Sequence, residues 1–256
     1  MKNGYPINFL ATPEDMPMAS QIFQRLQKWM STSHSERLWL HGPAYTPVPS
    51  PVSLAAASIV LVSEQNKVNL IAYRIHIDDF VSSDTESVSS LPPYDETQSS
   101  PELDRMVMMV YSLIRQMIWL LPDNVDTKAD FSFERFYLLN GSIDSLPEAY
   151  NIFEDLLALM PSLFLCIIDG IQLIDGGRYD DQGLGSTVYF DKFLEILWKA
   201  EKNRTMKVLL VSDGLCPTLL CEENIRMEEE FCIEEDLSQG QTAEFWEVFE
   251  DTNFSN

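Results

Sequence analysis

The chain has 256 residues, of which 17 are basic and 40 acidic, so its formal net charge at pH 7 is −23. Such a charge repels phosphate backbones and anionic lipid at long range, which argues against nucleic acid and membrane partners. The hydrophobic fraction of 45% is typical of a packed globular protein and excludes a largely disordered chain.

Helical and strand patterns alternate along the chain, as the spacing of the apolar residues shows. In chain order they predict a helix over 17–33, a strand over 37–41, a helix over 54–65 capped by Ser53, a strand over 68–77, a helix over 102–120, a short strand or extended segment over 133–139, a helix over 146–160, a strand over 163–168, a helix over 187–203, a strand over 207–212, a short apolar piece over 231–233 and a helix near 242–249. This alternation predicts a mostly parallel sheet with helices on both faces, a three-layer α/β/α fold.

Composition also suggests how the chain is divided. We expect an N-terminal helical extension over 1–36, one α/β domain over 37–236 and a C-terminal helix or tail over 237–256. Residues 78–102 are rich in Ser, Asp, Glu and Pro, which predicts a flexible acidic loop. The four cysteines form no CxxC pair and no apolar run reaches the ~20 residues of a membrane span. We therefore predict reduced thiols and a cytoplasmic protein, with a nuclear location left open.

Three predicted strands end in residues that suggest a ligand site. Gly42, Asp169 and Asp213 directly follow these strands, and ligands of parallel sheets bind at the carboxyl ends of the strands. Asp169 holds the position of an acid that faces magnesium, and Asp213 that of a residue that senses a γ-phosphate. Capping of a strand end and turn formation at Asp-Gly are the structural alternatives for these two residues.

The loop after Gly42 lacks most of what phosphate binding requires, namely glycine amides, a lysine, and a Ser or Thr for magnesium. No Lys or Arg lies between Gly42 and Ser53, and four prolines there remove four amide donors. Ser50 and Ser53 remain candidate nucleotide contacts, and Ser53 with Asp169 the candidate metal ligands if a magnesium nucleotide binds. The next acid after Asp169 is Asp175, so an acid that orients the attacking water is missing.

Together these segments resemble the P-loop NTPase fold of the STAND/NACHT-like class, in a degenerate version found in fungal proteins. The resemblance rests on residues 38–43, 166–170 and 209–214, with the helix at 113–118 as a further match. It implies a P-loop NTPase-like sheet, and intact members of the class act as nucleotide-dependent switches that regulate assembly.

The missing lysine and acids favour a catalytically inactive module that works through protein interaction, as a regulatory or scaffold part, with a protein partner and no cofactor. The alternative is a nucleotide-binding switch that uses Mg-ATP and an unconventional loop. In that case Arg178, Arg204 or a partner chain supplies the basic group. A third hypothesis is a binding module whose Pro-rich loop is itself the recognition surface.

Overall fold

The computed structural model of the chain describes residues 16–44, 49–75, 100–122, 124–125, 127–176, 186–221, 225–226 and 229–232. Its helices are α1 (Met16–Ser31), α2 (Pro51–Gln65), α3 (Pro101–Leu120), α4 (Phe133–Tyr137), α5 (Leu146–Leu157) and α6 (Ser186–Ala200). Its strands are β1 (Glu36–Gly42), β2 (Leu70–Arg74), β3 (Leu163–Asp169), β4 (Thr205–Asp213) and β5 (Glu230–Cys232). Across these ranges, no helix has the length and apolar composition needed to cross a bilayer.

The five strands form one parallel sheet in the order β2-β3-β4-β1-β5. β3 and β4 are apolar and buried along most of their length, as parallel strands covered on both faces are. The register places Gly42 beside Asp213 and Arg74 beside Asp169. The predicted parallel sheet is therefore confirmed, and the carboxyl ends of β1, β2, β3 and β4 lie along one edge.

Helices cover both faces of this sheet, because successive side chains of a strand point to opposite faces. On one face, α1 and α2 pack against strand residues such as Leu40 and Val211. On the other face, α3, α5 and α6 pack against residues such as Trp39 and Leu210. The three-layer α/β/α prediction is confirmed. α1 contributes buried side chains to the first layer, whereas the predicted division into three units stays a prediction.

The N-terminus of α2 differs from the prediction. Ser50, and not Ser53, is the capping residue, and its side chain accepts a hydrogen bond from the Ser53 amide at 3.2 Å. Pro51 lies inside the helix at its first position, where a missing N–H removes no helical hydrogen bond. The helix therefore begins one turn earlier than the predicted range of 54–65.

The predicted extended segment at 133–139 was wrong, because residues 133–137 form helix α4. Its aromatic residues favour a strand by propensity. Ser132 overrides this preference by accepting a hydrogen bond from the Arg135 amide at 3.3 Å, which caps the helix. Local capping thus decides the conformation of this segment.

Some predicted segments lie wholly or mostly outside the described residues. These include the tail over 237–256 with its helix near 242–249, and most of the acidic loop over 78–102. The last two residues of that predicted loop belong to α3, which begins at Pro101 with Ser100 as its cap.

β2 is an edge strand of the sheet, and a side chain covers part of its outer backbone. The amide of Gln116, from α3, accepts a hydrogen bond from the Ala72 N–H at 3.0 Å and donates one to the Ala72 carbonyl at 2.9 Å. Ala72 is therefore satisfied on the side where no strand of the described sheet lies.

Candidate functional site

The structure brings the five predicted site residues to the same edge of the sheet. The Gly214 amide donates to the Gly42 carbonyl at 2.8 Å, which ties the ends of β1 and β4 together. Ser53 at the start of α2 reaches the end of β3, where its hydroxyl donates to Asp169 at 2.8 Å. We call this group, with the neighbouring arginine, the strand-end cluster; its members are Gly42, Ser50, Ser53, Arg74, Asp169 and Asp213.

Asp169 is the centre of the cluster and is only 2% exposed. Ser53 Oγ donates to its Oδ1, and Arg74 Nε lies 3.2 Å from its Oδ2. Arg74 and Asp169 thus form an ion pair without a hydrogen bond to Oδ2, so the effect of Arg74 is mainly coulombic. Both carboxylate oxygens of Asp169 thus face groups of the same chain.

Burial raises the pKa of Asp169 from the ordinary 3.8 to about 6. The Arg74 charge and the Ser53 hydrogen bond lower this pKa, while the nearby Asp213 carboxylate raises it. Since the folded pKa is the higher one, the stability contributed by Asp169 is fully present below pH 3.8 and is lost as the pH rises through about 6.

This shift gives a testable pH dependence. Between pH 4 and pH 7 we expect the free energy of unfolding of the wild type to fall by at most about 3 kcal/mol relative to that of Asp169→Asn. Only the wild type must ionise the buried carboxyl group. Urea unfolding of both proteins across this range measures the difference. The other carboxyl groups are common to both proteins, so parallel pH profiles would contradict the assignment.

The N-terminus of α2 uses most of its own hydrogen-bond donors. Pro51 has no N–H, the Ser53 amide is bound by the Ser50 side chain, and the Leu54 amide donates to the Ser50 carbonyl at 2.9 Å. An anion site at a helix start depends on such amides being available. The prediction that Ser50 and Ser53 contact a nucleotide therefore has few backbone donors to support it.

Asp175, the next acid after Asp169, forms its hydrogen bonds with residues that follow β4. Its carboxylate accepts hydrogen bonds from the Thr218 amide and hydroxyl, each at 2.8 Å, and from the Cys216 thiol at 2.9 Å. Burial, and then the Asp175 carboxylate, raise the pKa of the Cys216 thiol. Asp175 thus ties the turn after β4 to the loop after β3 and is not aimed at the strand-end cluster.

Two glycines at the strand ends differ in how much their positions require glycine. Gly170 has φ +88°, and a Cβ there would lie 2.8 Å from the Ile75 carbonyl oxygen, so both conformation and packing require glycine. A Cβ at Gly42 would lie no closer than 3.5 Å to any neighbour, and the conformation of Gly42 is not of the left-handed type. Neither the backbone nor the packing around Gly42 requires glycine.

The residue that the sequence analysis missed is Arg74. It lies in the predicted strand 68–77, and only the pairing of β2 with β3 places it beside Asp169. The alternative hypothesis assigned a basic group to Arg178 or Arg204. Arg204 lies at the opposite, amino-terminal end of the strands, just before β4. There it donates a hydrogen bond to the Met160 carbonyl at 2.9 Å. Arg178 lies outside the described residues.

In this structure the two candidate magnesium ligands, Ser53 and Asp169, already interact with groups of the same chain. The Arg74 guanidinium already supplies the positive charge at Asp169, and the Ser53 hydroxyl donates its hydrogen bond to the same carboxylate. Within the ranges that the structure covers, no three His, Cys, Asp or Glu side chains are grouped so as to hold a metal ion. Mg²⁺ requires near-octahedral oxygen coordination, which the ion pair as it stands opposes.

No protein-family model matches the chain, and no curated protein matches it. Among solved structures, it is similar to the Aeropyrum pernix ORC1 protein in complex with DNA, at 10% identity and a TM-score of 0.42 over 87% of this chain and 46% of that one. It is also similar to the Aeropyrum pernix ORC2 protein (ADPNP-ADP complexes), at 10% identity and a TM-score of 0.45 over 91% of this chain and 50% of that one. The chain spans about half the length of these two proteins.

Proposed function

We propose that the chain is a catalytically inactive P-loop NTPase-like module that acts through protein contacts, as a regulatory or scaffold part. The ion pair between Arg74 and Asp169 carries this proposal. In a nucleotide hydrolase the equivalent acid faces the metal that bridges the phosphates. Here an arginine of the same chain takes the place of that charge.

Three further features act in the same direction. The loop after Gly42 has no Lys or Arg up to Ser53, so no cation from the loop reaches the phosphates. The amides at the start of α2 are largely bound within the helix. A net charge of −23 disfavours the approach of a triphosphate.

The class within this fold also remains a proposal. The strand ends at 38–43, 166–170 and 209–214 support the STAND/NACHT-like resemblance, and we retain it on those residues. The net charge supports a protein partner over nucleic acid or lipid. The free cysteines, among them buried Cys166 and Cys216, support a reducing cytoplasmic location.

The test of the proposal is incubation of the purified protein with Mg-ATP. We expect no phosphate release above the protein-free rate and a change in Tm of less than about 1 °C at millimolar nucleotide, because a ligand that does not bind the folded state does not stabilise it. Asp169→Asn is the matched control, since it removes the carboxylate and keeps the size of the side chain. Turnover by the wild type that this variant abolishes would show an active enzyme and contradict the proposal.

The alternative is a nucleotide-binding switch, and one observation favours it. Ser53 and Asp169 meet at 2.8 Å, the two side chains expected around magnesium in this class of site. Arg74 would then have to leave Asp169 when Mg-ATP binds. Isothermal titration with ATP, ADP and GTP distinguishes the two functions: magnesium-dependent binding supports the switch, and no binding at millimolar nucleotide removes it. The Pro-rich loop of the third hypothesis lies partly outside the described residues and stays a prediction.

A further inference from the structure

We propose that an exposed aromatic face on α4 binds a partner segment that is rich in both basic and aliphatic residues. This inference rests on the proposed function, since it specifies the protein contact. The α4 aromatic face consists of Phe133, Tyr137 and Leu138, which are 77%, 76% and 59% exposed. The two rings lie side by side with their centroids 6.0 Å apart. Exposed apolar side chains grouped in this way are typical of binding surfaces.

The opposite side of α4 fixes this face in place. Phe136 packs against the core on the sheet face that α3, α5 and α6 cover. Its ring stacks on that of Phe131, with the ring centroids 6.3 Å apart. Arg135 pairs with Glu148 and with Asp155, each at 2.6 Å, which ties α4 to α5. A surface that is held before binding loses less conformational entropy on association. The aromatic face is therefore organised in advance of any partner.

The charges around the face decide which partner fits. Glu134, between the two rings in the chain, is exposed, and Arg135 is already paired with two acids. Six acidic and two basic residues occupy the described stretch 127–157, namely Asp130, Glu134, Asp144, Glu148, Glu154 and Asp155 against Lys128 and Arg135. Glu148 and Asp155 pair with Arg135, and Glu154 pairs with Lys199. The charge that favours a basic partner therefore comes from Glu134 and Asp130, which are exposed and near the rings in the chain. The cations of such a partner can also lie over the ring faces.

The same charges disfavour the two occupants that this chain could itself supply. A second copy would bring an equally acidic face. Residues 237–256 contain four acidic and no basic residues, so they are repelled as well. The aliphatic part of the proposed segment covers the rings, and its Lys or Arg residues pair with Glu134 and Asp130.

The test uses the full chain and a fluorescently labelled synthetic helical peptide of leucine and lysine, with binding followed by anisotropy at physiological salt. We expect Phe133→Ser/Tyr137→Ser to weaken binding about tenfold or more, because exposed aromatic anchors dominate such interfaces. The matched control is Val188→Ser/Leu215→Ser, which removes apolar side chains of similar exposure, 54% and 61%, from other surfaces. This control should bind as the wild type does. Glu134→Lys, which keeps both rings, should also weaken binding.

Several outcomes would contradict the aromatic face. Equal affinities of the two serine double variants would show that the peptide binds by overall charge alone. Absence of peptide binding to the wild type would show that the α4 aromatic face does not bind a basic segment. A dimer seen in sedimentation velocity and lost in Phe133→Ser/Tyr137→Ser would identify a second copy as the occupant. Phosphate release by the same preparation would instead contradict the proposed function, whatever the peptide does.

Discussion

Arg74→Met is expected to destabilise the protein by about 3 kcal/mol at pH 8, because it leaves the buried Asp169 carboxylate without its compensating charge. At pH 5 the loss should be smaller, since Asp169, whose pKa is already raised to about 6, then becomes protonated and needs no counter-charge. Urea unfolding at the two pH values measures both effects.

The double variant Arg74→Met/Asp169→Asn is the control for this prediction. With the carboxylate removed, most of the loss at pH 8 should be recovered, and the four proteins of the cycle give the coupling energy directly. A loss that is the same with and without the Asp169 carboxylate would contradict the role of Arg74 as the cation of the strand-end cluster. The loss of stability would then come from the packing of the arginine side chain.

Gly170→Ala is expected to cost about 3 kcal/mol of stability, the second large effect. A left-handed conformation is unfavourable for alanine by about 1 kcal/mol. The added Cβ would also lie 2.8 Å from the Ile75 carbonyl, and Ile75 donates its amide to the Asp169 carbonyl at 2.8 Å. The end of β3 must therefore move to relieve the contact, and the resulting loss of stability lowers the Tm in thermal unfolding.

Gly141→Ala is a close control for Gly170→Ala. Gly141 has φ +81°, and a Cβ there would have no neighbour within 4 Å, so only the conformational cost of about 1 kcal/mol is expected. The difference between the two variants isolates the close contact at Ile75. Equal losses would show that this contact relaxes without cost.

The parallel sheet was predictable because its central strands contain apolar runs that are typical of strands buried on both faces. β3 is apolar up to Asp169 and β4 is apolar from Val208 to Val211, and helical patterns separate the strands in the chain. The positions of Gly42, Asp169 and Asp213 at one edge followed from the direction of parallel strands alone. This part of the site needed no side-chain geometry.

The contacts within the site were not predictable in the same way. Arg74 and Asp169 are brought together only by the pairing of β2 with β3, and no spacing along the chain specifies which strands pair. The correct cap of α2 depended on whether Pro51 begins the helix or precedes it. Both errors concern choices that tertiary contacts or a single turn decide.

The neutral amide of Gln116 opposes the addition of a further strand at the β2 edge of the sheet. A peptide that extends a sheet must find unpaired N–H and C=O groups at its edge, and at Ala72 these are already bonded to Gln116. An uncharged amide keeps its hydrogen bonds at any salt concentration and across the pH range in which carboxyl groups titrate. Strand addition at this part of β2 is thus opposed under all these conditions.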